Sequence, residues 1–311
     1  MDILCVGQLA ADVLVRPVDR VDFGVDTVRV EGIDIKSGGD CLNAALGLAK
    51  LGNSVACAGK VGSDQLGDFL AGVLARAGID CRSLRRSSEA GTCGCLVLIN
   101  RQGDRTFFYH GGTNDLFALD DVDLSLLDEA AIVHVGGTYL LPRFDGEGAA
   151  SLFKAARAKG KLTSMDVTWD TTGRWLSVIE PCLSHLSFFM PSIREAEKIA
   201  GTSVPEEIVA FFQARGVGTV VIKLGEEGCY VKPAAEQGFS VKAFPTEVVD
   251  TTGAGDSFVA GYLTGVVQKW EPERCASLGC AVAALNIRRV GATAGIPTFE
   301  EARRFMEDNG R

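Results

Sequence analysis

The sequence predicts an α/β domain in three layers, with a mostly parallel central sheet between helices and a small β-sheet inserted as a lid. Three observations carry this. Downstream of Asp115, short apolar runs alternate with amphipathic stretches of helical length, the pattern of βα units. Upstream, Val13 to Ile35 and Thr92 to His110 alternate apolar and polar residues with period two, as strands with one solvated face do. The C-terminal end reads as consecutive helices. With 311 residues and no repeat or long linker, the chain is expected to form a single domain over 1–311. The lid is expected from about 13–36 and 91–112.

In chain order, Ile3 to Gly7 reads as a buried strand closed by glycine. Asp12 follows at the C-terminal edge, where open α/β sheets bind ligands. Ser37-Gly38-Gly39-Asp40-Cys41-Leu42-Asn43 opens a helix running to about Leu51. Val55 to Lys60 is the next strand and Gln65 to Ala77 the next helix. Thr92 to Ile99 and Thr106 to His110 flank Gln102-Gly103-Asp104 and predict a hairpin. Strands follow at Ala131 to Val135, Leu162 to Val167, Leu186 to Met190 and Thr219 to Leu224. The intervening helices are Gly146 to Lys159, Ile193 to Ala200 and Pro205 to Ala214. Helices over Ser257 to Gln268, Pro272 to Ile287 and Phe299 to Asp308 close the chain.

Composition narrows the function. Net charge is −9, which argues against nucleic acid or an anionic membrane as partner. The longest apolar runs are too short to span a bilayer, and Met1-Asp2-Ile3-Leu4 lacks the basic start of a signal peptide. The ten cysteines form no CxxC pair, and His110, His134 and His185 stand in no ligand spacing. Reduced, mostly buried thiols in a cytoplasmic protein are the expectation.

The chemistry concentrates in Asp250-Thr251-Thr252-Gly253-Ala254-Gly255-Asp256, between an extended run and an apolar helix. The small residues allow a sharp turn, and the amides of Gly253, Ala254 and Gly255 are expected to face outward at a helix N-terminus, an anion hole. A carboxylate beside an anion hole repels a bare phosphate. It is useful when it takes a proton from a hydroxyl while the hole stabilises charge on the group under attack. Asp256 is placed to do this, and phosphoryl transfer needs that division of labour.

This heptad resembles the C-terminal signature of the ribokinase-like carbohydrate kinases, the phosphofructokinase-B family. Gly38-Gly39-Asp40-Cys41-Leu42-Asn43 resembles the family's N-terminal Gly-Gly signature, and the likeness extends over nearly the whole chain. It implies a ribokinase-like fold with Asp256 as base and Gly253, Ala254 and Gly255 as anion hole. Asp12, Gly39, Asp40 and Asn43 would hold the substrate. Ala10 stands where ribokinase has an Asn. Pro191-Ser192-Ile193-Arg194-Glu195 is similar to the family's Asn-x-x-Glu motif, with Ser192 in place of Asn. This implies a water-mediated magnesium contact at Glu195. Without the family, Ser192 and Glu195 read as a capping box. Lys223, Gly225 and Gly228 resemble the nucleotide-side loop. Asn286 to Gly295, including Arg289 and Gly291, resembles the loop that binds a potassium ion in ribokinase with the carbonyls of Asp250 and Thr252.

The resemblance thus implies an ATP- and Mg2+-dependent kinase acting on the hydroxymethyl group of an unphosphorylated sugar, with K+ as a further ligand and a homodimer formed through the lid. A nucleoside kinase is the nearer alternative, with Tyr139, Trp169 or Phe108 holding a base; a catalytically silent sugar-binding protein is the other. No G-x-G-x-x-G follows the first strand, which counts against a dinucleotide-binding dehydrogenase. Asp40 stands where a Lys often follows the paired glycines. With Asp12 it predicts a pocket that disfavours a sugar phosphate, unless an Arg such as Arg105 or Arg174 outweighs it. Asp40 capping its own helix through Asn43 is the competing reading.

Overall fold

The computed structural model describes Met1–Arg311. Thirteen strands are numbered in chain order. They are β1 Ile3–Gly7, β2 Ala10–Arg16, β3 Gly32–Gly38, β4 Val55–Gly62, β5 Leu84–Ser87, β6 Gly94–Ile99 and β7 Arg105–His110. After these come β8 Ile132–Thr138, β9 Leu162–Val167, β10 Phe188–Phe189, β11 Thr219–Lys223, β12 Cys229–Lys232 and β13 Phe239–Val241. Nine of them form one sheet in the order β13-β12-β11-β10-β9-β8-β1-β4-β5. Its pairs are parallel except β11–β12 and β12–β13, so β12 alone runs against the other strands. Its strands bury both faces. Ile3 and Cys5 point into one core with the helices Asp40–Lys50, Ala254–Val267 and Pro272–Asn286. Leu4 and Val6 point into the other, with Glu147–Ala158 and Pro205–Gln213. Alternate residues entering opposite cores explain why β1 reads as a continuous apolar run.

The second sheet has four strands in the order β3-β2-β6-β7 and draws on both period-two segments. Its register fixes which side chains share a face. Lys36, Asp12, Cys95 and Tyr109 are opposite one another, as are Ile35, Val13, Leu96 and Phe108. Asp12 and Phe107 line a cavity against the main body, so the Asp12 row faces inward and the Phe108 row outward. Residues 17–31, where alternation suggested strand, are irregular. Val21, Phe23, Val25 and Val28 there are exposed and have no partner strand to fix the pattern.

Other departures are local. The helix expected from Ser257 begins three residues earlier, at Ala254. A helix at Leu176–Leu183 was not anticipated; Pro181 lies inside it and Trp175 enters it at φ 36°. No helix is long and apolar enough to cross a membrane.

Candidate functional site

The site is built where the turn after β13, the start of the helix Asp40–Lys50 and the C-terminal ends of β9 and β11 converge. Gly253 takes φ 71° at the cap of Ala254–Val267, and a Cβ there would fall 2.2 Å from the Ala292 carbonyl oxygen. Only glycine fits both conditions. The Ala254 amide turns back to the Thr251 carbonyl at 3.2 Å. The amides of Gly253, Gly255 and Asp256 have no acceptor in the protein. Of the three amides read from the sequence, Gly253 and Gly255 are thus open, while Ala254 is taken by the tight turn into the helix and Asp256 joins the open set.

Asp256 sits in the first turn of that helix. Its Oδ2 accepts from Asn43 Nδ2 at 2.9 Å. Burial pushes its carboxyl up to about 6, with the Asn43 bond and Lys223 pulling down and Glu195 pushing up. Asn43 itself is buried, and its Oδ1 has no partner. An acceptor left over beside the base suits a hydroxyl donor.

Gly39 caps the helix at Asp40–Lys50 with φ 92°, and a Cβ there would meet the Gln8 carbonyl at 2.7 Å. No side chain caps this helix, so Asp40 is its first residue and not its cap. The Asp40 amide donates to Gln8 Oε1 at 3.3 Å. Its carboxyl is pushed well up, first by burial and then by Asp256 and Asp166. Asp12 is likewise raised, to about 6, by burial. Its carboxylate lies over Gly38, where a Cβ would come within 2.2 Å of Oδ2.

Lys223, at the end of β11, donates to Asp166 Oδ2 at 2.5 Å. Asp166 enters the site from β9. Its pairing with Lys223 was out of sight because the two lie 57 residues apart, on β9 and β11. A Cβ on Gly255 would sit 3.2 Å from Lys223 Nζ, so the ammonium stands against the open amides. Burial lowers Lys223, but Asp166, Glu195 and Asp256 outweigh it and hold the amine charged. Four carboxyls, Asp40, Asp166, Glu195 and Asp256, thus share one ammonium.

Ser192 and Glu195 form a reciprocal capping box: the Ser192 amide donates to Glu195 Oε2 at 2.8 Å, and the Glu195 amide to Ser192 Oγ at 3.4 Å. Ser192 also bridges to Lys223 across the sheet edge. Gly225 and Gly228, at φ 64° and 98°, turn the chain into a cavity of about 640 Å³. Lys223, Thr251, Gly255, Phe244, Phe258 and Ala284 are among its lining residues. Most of the wall is apolar, with the ammonium and helix start at one end.

The loop after Asn286 closes on the heptad. Asn286 is fully buried; its Nδ2 donates to the Ala292 carbonyl at 2.7 Å and its Oδ1 accepts from the Gly295 amide at 3.0 Å. The Gly291 amide donates to Asp250 Oδ2 at 2.9 Å. Arg289 makes only a backbone contact, its amide donating to the Asn286 carbonyl at 3.2 Å.

Two proposed base platforms are not available. Tyr139 is 8% exposed, at φ 84°, and its hydroxyl donates to the Trp175 carbonyl at 3.1 Å. Phe108 belongs to the outward row of the small sheet. Trp169 stays half-open, edge-on to Trp175 and beneath Arg194. The inward aromatics, Phe107 and Tyr109, lie one residue to either side of Phe108, a register that alternation alone left open.

Comparison with known proteins points one way. Residues 1–299 match the family model described as pfkB family carbohydrate kinase. The chain is 29% identical over 273 residues to a 2-dehydro-3-deoxygluconokinase of Bacillus subtilis, covering 85% of this chain and 84% of that one. Among solved structures it is similar to Arabidopsis thaliana ribokinase complexed with ribose and ATP, with a TM-score of 0.87 and 24% identity over 98% of both chains. It is also similar to a putative ribokinase II from E. coli in complex with ATP and Mg2+, with a TM-score of 0.86 and 22% identity over 99% of both.

Proposed function

The chain belongs to the pfkB family of carbohydrate kinases, and from that premise we propose that it transfers the γ-phosphate of ATP to a hydroxymethyl group of an unphosphorylated sugar. The observation that carries the reading is Asp256, a carboxylate held by Asn43 at 2.9 Å beside the open amides of Gly253 and Gly255. ATP would lie in the 640 Å³ cavity, its base among the apolar residues and its phosphates toward Lys223 and the helix start. The sugar would lie between Asp12, Gly39, Asp40, Asn43 and Asp256, with Asn43 Oδ1 accepting from a hydroxyl. Asp256 takes the hydroxyl proton as the oxygen bonds to the γ-phosphorus. The bond to the β-phosphate bridging oxygen breaks and ADP leaves, while the open amides receive charge on the transferred group. Protonated Asp256 then returns its proton to water.

Oxygen donors that suit magnesium held through water are present: Asp40, Asp166 and Glu195 stand beyond the base around a single ammonium. Glu195 and Asp166 would hold it. When bound, magnesium neutralises charge on the β- and γ-phosphate oxygens.

Asp12 and Asp40 facing the sugar also support a neutral substrate. At about 5 Å and an effective dielectric near 20, one carboxylate and one phosphate charge repel by roughly 3 kcal/mol before solvent reduces it. The test is kcat/KM by ADP release on matched free and phosphorylated sugars, with nucleosides alongside. Free sugars should lead; a clear lead for the phosphorylated partners would show that Arg16, Lys36 and Arg105, which line the inward face of the small sheet, set the specificity instead.

The small sheet would close over the sugar as a lid and keep water out. Its outward row of Ile35, Val13, Leu96 and Phe108, with Ile33 65% and Phe108 53% exposed, would be covered by the same face of a second copy. Sedimentation at micromolar concentration should give a homodimer for the wild type and a monomer for Phe108→Glu. A wild type that sediments as a monomer removes this assembly.

A further inference from the structure

The nucleotide cavity is not the widest opening in the protein. A groove of about 1090 Å³ runs between the end of the helix Asp40–Lys50, residues 288–298 and the helix Phe299–Asp308. No residue lines both it and the nucleotide cavity. Four cations line it, Lys50, Arg288, Arg289 and Arg304, against two carboxylates, Glu301 and Asp308. That excess stands in a chain of net charge −9. Glu301 is already engaged, its Oε2 accepting from the Thr298 amide at 2.7 Å and hydroxyl at 2.8 Å. The other acids of that helix, Glu300 and Glu307, go to Arg303 and leave Arg304 without a partner. Arg289 bonds through its backbone amide alone, so its guanidinium is free. Lys50 in the last turn of its helix complements the dipole there, but Arg304, inside its own helix, has no such role. Arg288 is held in place: its Nε donates to Thr246 Oγ1 at 2.6 Å, and its guanidinium lies 5.0 Å from the centre of the Phe305 ring. Apolar side chains, Leu46, Val73, Leu285 and Ile296, complete the lining with Phe305.

We propose that this groove binds an organic phosphate, a dianionic head on an apolar or aromatic body, at a site separate from the active site. Cations brought from three elements suit a head with more than one charge, and guanidinium forks match phosphate oxygens. The apolar lining and the volume suit a body larger than a bare ion. The site also touches both elements that build the active site. Arg289, Thr293 and Gly295 line the groove, while in the same segment the Gly291 amide holds Asp250 Oδ2 at 2.9 Å and the Ala292 carbonyl lies against Gly253. Arg105 of the small sheet holds Asp250 from another side, its Nη2 donating to Oδ1 at 2.8 Å. The helix Asp40–Lys50 carries Asn43 to the base and Lys50 to the groove. Ser37 lines both the groove and the cavity beside Asp12. Without a ligand, Lys50, Arg289 and Arg304 repel one another. A dianion among them removes that repulsion, draws the segment onto the helix and braces Gly253 and Asn43. Its effect on turnover rests on the kinase reading; its binding does not.

The experiment uses 1-naphthyl phosphate as probe, with 1-naphthol and inorganic phosphate as the two halves of its chemistry. Probe fluorescence and thermal unfolding are read with a non-hydrolysable ATP analogue saturating the nucleotide cavity. Wild type should bind the probe saturably and melt higher with it, and each half should bind at least tenfold more weakly. The double variant Lys50→Gln/Arg304→Gln should melt and turn over like wild type without probe, yet bind it about tenfold more weakly. With the preferred sugar, saturating probe should lower KM by about fivefold in wild type and leave KM of the double variant nearly unchanged. Absence of saturable binding overturns the proposal, as does displacement of the probe by the ATP analogue. So does a double variant that binds like wild type, or a probe matched by inorganic phosphate or by naphthol. A probe that binds as expected and leaves KM unchanged overturns the link to the active site. If no sugar is phosphorylated under any condition, the kinase reading fails, and fluorescence and unfolding still decide whether the groove is an organic phosphate site.

Discussion

Asp256→Asn should lower kcat by about 10²- to 10⁴-fold, the range for loss of a general base, while nucleotide affinity changes little. The substitution keeps the shape of the side chain and an oxygen for Asn43 to donate to. It removes only the ability to take a proton. The open amides and the nucleotide cavity do not depend on the carboxylate, so ATP binding persists. Stability supplies an independent control. Burial raises the Asp256 pKa from 3.8 to about 6. Between those values the folded state binds more protons than the unfolded one, so this group's contribution weakens as pH rises and stays unfavourable above about 6. The Asn variant should therefore melt higher than wild type at pH 8, with the gain shrinking as pH falls toward 4. A variant with near wild-type turnover ends the assignment of Asp256 as base. A variant that melts lower at every pH would trace the loss to a damaged fold.

Lys223→Met should be the most destabilising single change in the site. Lys223 and Asp166 are 13% and 5% exposed and meet at 2.5 Å. Removing one partner of such a pair leaves a buried carboxylate uncompensated, at a cost of about 3–5 kcal/mol. Asp40 and Asp256 face the same ammonium, so both carboxyls rise when it is lost. Turnover should fall with stability, and the KM for ATP should rise because the phosphate end of the cavity loses its cation. Adding Asp166→Asn to Lys223→Met should recover much of the Tm without recovering turnover. Recovery of both together would reduce Lys223 to a structural counter-ion for Asp166.

How much of this was legible in the sequence follows from which interactions are local. The βα alternation after Asp115 and the period-two segments before it lie within short windows, and they locate the large sheet and the small one. The heptad is also local, and it places Asp256 and the open amides within one residue. What escaped depends on side chains meeting across strands. Asp166 finds Lys223 over β10, and Arg105 finds Asp250 across the gap between sheets; neither pairing leaves a periodic signal. The competing reading of Asp40 as a helix cap rested on residue type alone, and Gly39 takes the cap because only glycine tolerates its φ of 92° so close to the Gln8 carbonyl. β5, four residues long with Arg85 and Arg86 at the sheet edge, is too short and too polar to announce itself, whereas β10, Phe188–Phe189, lies inside the strand expected over Leu186 to Met190. Val21, Val25 and Val28 alternate like a strand but have no neighbour to pair with.

The central claim is that the ionised carboxylate of Asp256 takes the substrate proton, and the pH profile of kcat/KM for the preferred sugar tests it most directly. Burial places the Asp256 pKa near 6, so the base form is lost as pH falls through that value. The profile should show an acid limb with a midpoint near 6, and Lys223→Met should move that midpoint upward because the ammonium that lowers Asp256 is gone. Asp256→Asn should leave a residual rate in which that limb is missing. A wild-type profile that stays flat from pH 8 down to about 5, or one whose limb survives unchanged in Asp256→Asn, would contradict the account.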